Sequence, residues 1–373
     1  MNEPPVFIPG LELSRRFYGE AVRPLLDAHY PGLPHAAALI GDGSEVLGFD
    51  TPMSRDHGWG PRLLLFLHEA DWQAHHAAIH DLLARELPPR FLGYATHFTP
   101  PDPLDHGTQL LRAPLPGEPI NHRVEIHTLA TYCGERLGCD PAAPLTAADW
   151  LTLPQQKLLA FTAGAVYHDD LGLGDLRRQL AWYPHDVWLY LLAAGWSRVA
   201  QEEHLTGRAG SAGDELGSRL IAARLVRDGM RLAFLMERVY MPYAKWFGSA
   251  FASLACAPEL TPHLEGALAA SDWQAREPHL CAAFEHLAGM HNRLGLTPPL
   301  EEATRPFFGR PFRVLFAERF TTALLAQIRD PDVRRVAASP PIGSLDLFSD
   351  NTDLLEPAGW RHALKGLFAG RDQ

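Results

Sequence analysis

The feature that most constrains this chain is a change of hydrophobic period near residue 145. Before it, the apolar runs are short: AAALI (36–40), RLLLFL (62–67), FLGYATHF (91–98) and HRVEIHTL (122–129). Runs of that length, bounded by Gly, Pro and Asp, read as buried strands. Two amphipathic helices accompany them, LELSRRFYGEAVRPLLDAHY (11–30), ended by Pro31-Gly32, and ADWQAHHAAIHDLLAREL (70–87). The stretch TPPDPLDHGTQLLRAPLPGEP (99–119) reads as a long loop. After residue 145 the apolar positions recur at helical spacing over 154–168, 186–204, 214–240, 243–256, 272–294 and 312–329, and ASPPIGSLDLFSDNTDLLEP (338–357) reads as a closing loop. A chain of 373 residues is too long for one core. The pattern predicts a small α/β domain over 1–145 followed by a helical bundle domain over 146–373.

Composition narrows the partners. The net charge is −11, which argues against a coat for long nucleic acid but leaves a nucleotide open, since a few local arginines neutralise one triphosphate. The cysteines Cys133, Cys139, Cys256 and Cys281 form no Cys-x-x-Cys and are expected to be reduced thiols. The start MNEPPVFIPG has neither the basic nor the apolar region of a signal peptide, and no apolar run approaches the ~20 residues of a membrane span. A cytoplasmic protein without a membrane partner is the expectation.

One window carries chemistry. Residues 38–67, ALIGDGSEVLGFDTPMSRDHGWGPRLLLFL, run from a strand into Gly43-Ser44, through eleven residues to Asp56, and into a second strand. A small residue at 43 lets backbone approach a phosphate closely. The Ser44 hydroxyl and N–H suit phosphate oxygens. A carboxylate beside the second strand suits Mg²⁺, which takes oxygen ligands and bridges to a triphosphate.

That arrangement resembles the polymerase-beta-type nucleotidyltransferase superfamily, whose signature is Gly-Gly/Ser, about a dozen residues, acid-x-acid, and a third acid on a later strand. The segments GSEVLGFDTPMSRDHGWGPR, QQKLLAFTAGAVYHDD, YPHDVWLYLLAAGWSRVAQEE and LGSRLIAARLVRDGMRLAFLMERVY look like a bacterial family catalogued as a domain of unknown function. The layout is also similar to aminoglycoside nucleotidyltransferases. The resemblance implies an α+β fold, a small nucleotidyltransferase-like mixed sheet with helices followed by a mostly α-helical bundle. It implies that Gly43 and Ser44 hold phosphates and that Asp56 and Glu125, in RVEIHT, are the catalytic carboxylates and the Mg²⁺ ligands. The second acid belongs two residues after Asp56, and that position is Gly58. Alternate strand residues share a face, so a ligand is missing there; Asp50 or His57 are the substitutes in reach of the sequence.

In the helical half, Arg224, Arg227, Arg231 and Arg238 fall within a sector of ~60° at 100° per residue. Two readings stand: a phosphate-binding stripe, or a solvated face paired with Asp228 and Glu237. Lys245 is one of three lysines, with Lys157 and Lys365. The resemblance makes it a candidate for the triphosphate, as antibiotic nucleotidyltransferases use a lysine of the helical domain. Other signals are read as structural. His76 and His80 are one turn apart without further zinc ligands; His168-Asp169-Asp170 ends a predicted helix without the rest of a phosphohydrolase ligand set; Trp182, Trp188, Trp196 and Trp246 sit at core-like positions.

Two functions follow as expectations. The first is Mg²⁺-dependent transfer of a nucleoside monophosphate from a triphosphate, with ATP the expected donor, to a small-molecule or protein acceptor lying between the domains. The second is a catalytically weak or inactive nucleotide-binding or regulatory protein of the same fold, because of Gly58.

Overall fold

The computed structural model describes residues 6–369 apart from 56, 57, 106 and 142. The fold is α+β, with a four-stranded mixed sheet and many helices. Two compact units are present: residues 1–144 with 157–181, and residues 145–156 with 182–373.

The first unit is built on β1 (His35–Leu39), β2 (Arg62–Leu67), β3 (Arg123–His127) and β4 (Ala165–Asp169), in the order β3-β2-β1-β4. Strand β1 pairs antiparallel with both neighbours, and β2 pairs parallel with β3. Parallel neighbours need a crossover, and the link from β2 to β3 contains the long helix α1 (Glu69–Glu86). Every residue of β1 is buried. A central strand covered on both faces needs continuous apolar residues, and the alanines of HAAAL meet that need with little bulk. The core between sheet and helices gathers Leu13, Phe17, Leu65, Ile79, Leu83 and Val124.

Three local differences from the sequence reading have identifiable causes. The first helix continues to His29 through a π-helical turn at Tyr18–Val22. The segment 91–98 is not one strand, because Leu92 and Gly93 both take positive φ, 50° and 87°, and fold Phe91 back onto Tyr94. That is a two-residue hairpin turn. Residues 165–169, expected to continue a helix, leave it after Thr162 and pair with β1 as its edge strand. That pairing is why the first unit includes 157–181.

The second unit is helical apart from a short two-stranded ladder, Arg305–Pro306 with Arg313–Val314. Helix α2 (His185–Glu202) packs against α3 (Glu215–Met236) and against residues 318–325. Trp188 and Trp196 are 1% and 0% exposed, and Trp188 Nε1 donates to the Leu235 carbonyl at 2.7 Å, so both serve packing. Among the described residues no helix is long and apolar enough to cross a membrane. The four cysteines are unbridged.

Leu65, at the middle of β2, is fully buried between the helices and the sheet. Leu65→Ala is expected to cost about 3 kcal/mol through lost burial and the cavity left behind, read as a lowered urea midpoint against an exposed control such as Leu104→Ala.

Candidate functional site

The C-terminal end of β1, the N-terminal end of β2 and the start of β3 lie side by side, since Ala38 pairs with Leu64 and Leu64 with Glu125. The chain leaves β1 into the turn that holds Gly43 and Ser44. Gly43 has φ 138°, and a Cβ there would lie 2.5 Å from Arg62 Nη2 and 2.6 Å from Glu45 Oε2. The conformation favours glycine, and a side chain there would displace the ends of Arg62 and Glu45. Ser44 is half-buried, and its carbonyl accepts the Phe49 N–H at 2.8 Å, which closes the turn.

Arg62 organises this end of the sheet. Its guanidinium binds the Glu45 carboxylate at 2.6 Å and donates to the Asp42 carbonyl at 2.5 Å. Burial works against its charge, but Glu45 outweighs that and raises its pKa. Alternation on β3 puts Arg123, Glu125 and His127 on one face. Arg123 Nη2 donates to Glu125 Oε1 at 2.9 Å, and His127 Nε2 lies 3.5 Å from Glu125 Oε2. Burial disfavours the Glu125 charge, yet His127, Arg123 and Arg62 together prevail and hold its carboxyl down to about 2.

Gly43, Ser44 and Glu125 are thus placed at one end of the sheet. Asp56 and His57 lie outside the described residues. Gly58 has φ 67°, its N–H donates to the Gln109 carbonyl, and a Cβ built on it would overlap Arg123 Nη1. A guanidinium stands where a second acid would project. Asp50 is committed elsewhere, since its Oδ2 accepts from Gly10 N at 2.7 Å and Trp59 Nε1 at 3.1 Å. The sequence reading missed Arg62, Glu45 and Arg123. Their only sequence signal is position, adjacent to Ser44 or at the strand starts, and it becomes legible once the register is known.

The helical unit positions the remaining candidates. Arg224 Nε donates to Glu202 at 2.9 Å. Arg227 and Arg231 both bind Asp350, and Arg231 also reaches Asp228 at 3.4 Å. Arg238 lies beyond the helix at φ 56°, with its guanidinium 4.2 Å from the centre of the Trp188 ring. Arg227 and Arg231 line a cavity of about 400 Å³ together with Tyr243, Asp346 and Asp350. The Arg227 Nε is buried there without a hydrogen-bond partner. Lys245 is exposed, with its ammonium 5.1 Å from the centre of the Trp246 ring.

His76 stacks on Trp72 and its Nδ1 donates to the Trp72 carbonyl, while His80 lies against His122. Asp169 accepts the N–H groups of Leu171, Leu173 and Gly174, which makes it a cap for the helix that follows.

Comparison with known proteins gives matches to a family model and to solved structures. A family model described as a domain of unknown function, DUF4037, matches residues 150–247. A nucleotidyltransferase-like protein from Exiguobacterium sibiricum 255-15 superposes with a TM-score of 0.31 and 12% identity, over 76% of this chain and 75% of that one. No curated protein matches.

The depressed Glu125 pKa has a direction in pH. The carboxylate ionises at about 2 in the fold and near 4.3 when unfolded, so its stabilisation is complete above the higher value and is lost as pH falls toward the lower. Between about pH 5 and pH 2, wild type is expected to lose stability more steeply than Glu125→Gln, and equal slopes in thermal melts would refute the assignment.

Proposed function

We propose that this chain binds a nucleoside triphosphate at the Gly43-Ser44 turn and is a weak or inactive relative of nucleotidyltransferases. The observation that carries this reading is the Arg123 guanidinium in the space beside Gly58. Mg²⁺ takes several oxygen ligands and is held through carboxylates. Among the described residues, the carboxylates around the turn are each matched to a guanidinium: Asp42 to Arg136, Glu45 to Arg62 and Glu125 to Arg123. That set does not fit a resident Mg²⁺. It does suit a polyanion, because guanidinium groups bind phosphate oxygens in a bidentate fashion. The turn backbone then positions the phosphates while Arg62 and Arg123 balance their charge.

In the helical unit, Arg227 and Arg231 are the candidates for an anionic group in the 400 Å³ cavity, exchanging Asp350 for the ligand. Arg224 and Lys245 stand outside that lining; their assignment to the triphosphate stays part of the proposal.

A second reading is Mg²⁺-dependent transfer of a nucleoside monophosphate to a small-molecule or protein acceptor. Its support is Glu125, which stays ionised at neutral pH and keeps a third of its side chain accessible. In that reading Glu125 and Asp56 would hold Mg²⁺, which would supply positive charge for a departing pyrophosphate.

The two readings separate in one experiment. A fluorescent ATP analogue is expected to bind equally well in Mg²⁺ and in EDTA, and Arg123→Ala to weaken it roughly tenfold, the scale of one lost charged hydrogen bond. Pyrophosphate release that requires Mg²⁺ and disappears in Asp56→Ala would replace the first reading with the second. Gly58→Asp alone is expected to add no turnover, since Arg123 fills the space. Aspartate tolerates the positive φ better than most residues, so Gly58→Asp with Arg123→Ala is the variant in which transferase activity rises.

A further inference from the structure

A second cluster lies at the other end of β1. His35 opens that strand, and its carbonyl accepts the Asp170 N–H at 3.0 Å, so His35 and Asp170 face each other across the sheet. Ala36 pairs with Asp169 and Ala37 with His168 before the register shifts, leaving Tyr167 as the extra residue of a β-bulge. Alternation then puts His35, His168 and Asp170 on one face. Their ligand atoms all lie within 4.8 Å of one another, the one such group among the described residues.

We propose that His35, His168 and Asp170 form a binding site for a zinc-class divalent cation. Two imidazole nitrogens and one carboxylate oxygen are the donor set of zinc and similar transition metals rather than of Mg²⁺ or Ca²⁺. The orientation of His35 is already set: its Nδ1 donates to the Leu33 carbonyl at 2.9 Å, which leaves Nε2 as the lone-pair nitrogen turned to the cluster. Such a backbone partner on the far ring nitrogen fixes the tautomer of metal-bound histidines. The Tyr18 hydroxyl now donates to that Nε2 at 2.8 Å. His168 Nε2 donates to Asp170 Oδ2 at 2.7 Å, and the cation takes the place of that shared hydrogen. The His35 and His168 rings lie 4.4 Å apart between centres and are tilted by 34°, and the ligand atoms of both lie within 4.8 Å of each other and of the Asp170 carboxylate.

Access and second-sphere support are also present. His35 and Tyr18 are buried, whereas about half of Asp170 faces solvent and opens a path for the ion. Three protein ligands leave a fourth position for water, and the Tyr18 hydroxyl, released from His35, is the group placed to hydrogen-bond to it. Tyr18 occupies the π-helical turn of the first helix, an irregularity that recurs at functional sites. The cluster is separated from the Gly43-Ser44 turn by the whole of β1, so it does not depend on the nucleotide reading.

The test uses the full-length, untagged chain stripped with a chelator and titrated with Co²⁺, followed by displacement with Zn²⁺. The expected result is one equivalent bound, with the visible absorption of low-coordinate Co²⁺ and its loss on adding Zn²⁺. His168→Ala and Asp170→Asn, at accessible positions, are expected to weaken binding at least roughly tenfold with unchanged circular dichroism. His80→Ala serves as control and retains binding. Absence of a Co²⁺ signal in wild type overturns the proposal and leaves His168–Asp170 a hydrogen-bonded pair only. So does affinity unchanged in both site variants, or binding abolished by His80→Ala.

Discussion

The antiparallel pairing of β1 with β2 is the constraint on which the first unit depends. Strand β1 offers His-Ala-Ala-Ala-Leu with every residue buried, and its register sets what stands at each end of the sheet. A slip of one residue would exchange the faces of all its side chains. The Gly43 turn would then leave Arg62, and His35 would leave Asp170. Since the alanines supply little shape of their own, the register is held by larger partners such as Phe66, Leu65 and Leu67 on β2, all buried. Packing energy and site geometry are here the same requirement.

Charge is arranged by the same economy. A carboxylate in a half-buried place is costly unless a cation neutralises it. Glu45 and Glu125 solve this with Arg62 and Arg123. The helical unit repeats the solution with Glu202 and Asp228 against Arg198, Arg224 and Arg231. A bound anion in either place must compete with an internal carboxylate, which limits affinity and favours multiply charged ligands.

How much of this was legible depended on range. The strands 35–39 and 62–67, the helix 69–86 and the major helices of the second unit follow from hydrophobic period alone. The turn at Gly43 was readable because glycine between a strand and a polar stretch has few other uses. Arg123 beside Gly58, and His35 beside His168, were not readable. Each pair is brought together by strand pairing between segments 65 or more residues apart, and no local propensity encodes that. The fate of 165–169 was hidden for a related reason: AVYHD carries no alternation marking it as a strand, and only the open edge of β1 makes it one. Asp350, which answers Arg227 and Arg231, sits in a stretch whose composition reads simply as loop.

The late arrival of β4 has a consequence for how the chain comes into being on the ribosome. The sheet of the first unit is missing its fourth strand until residue 169 has been made, after residues 145–156 of the other unit have already emerged. During that interval β1 presents an unpaired edge of backbone donors and acceptors, the kind of template to which other strands add. Its three central side chains are alanines, so no charge there wards off a wrong partner. A chain ended at residue 144 would keep that edge permanently. The apparent domain boundary in the sequence is therefore a poor place to cut, and the strand that closes the edge guards the nascent protein as much as it completes the fold.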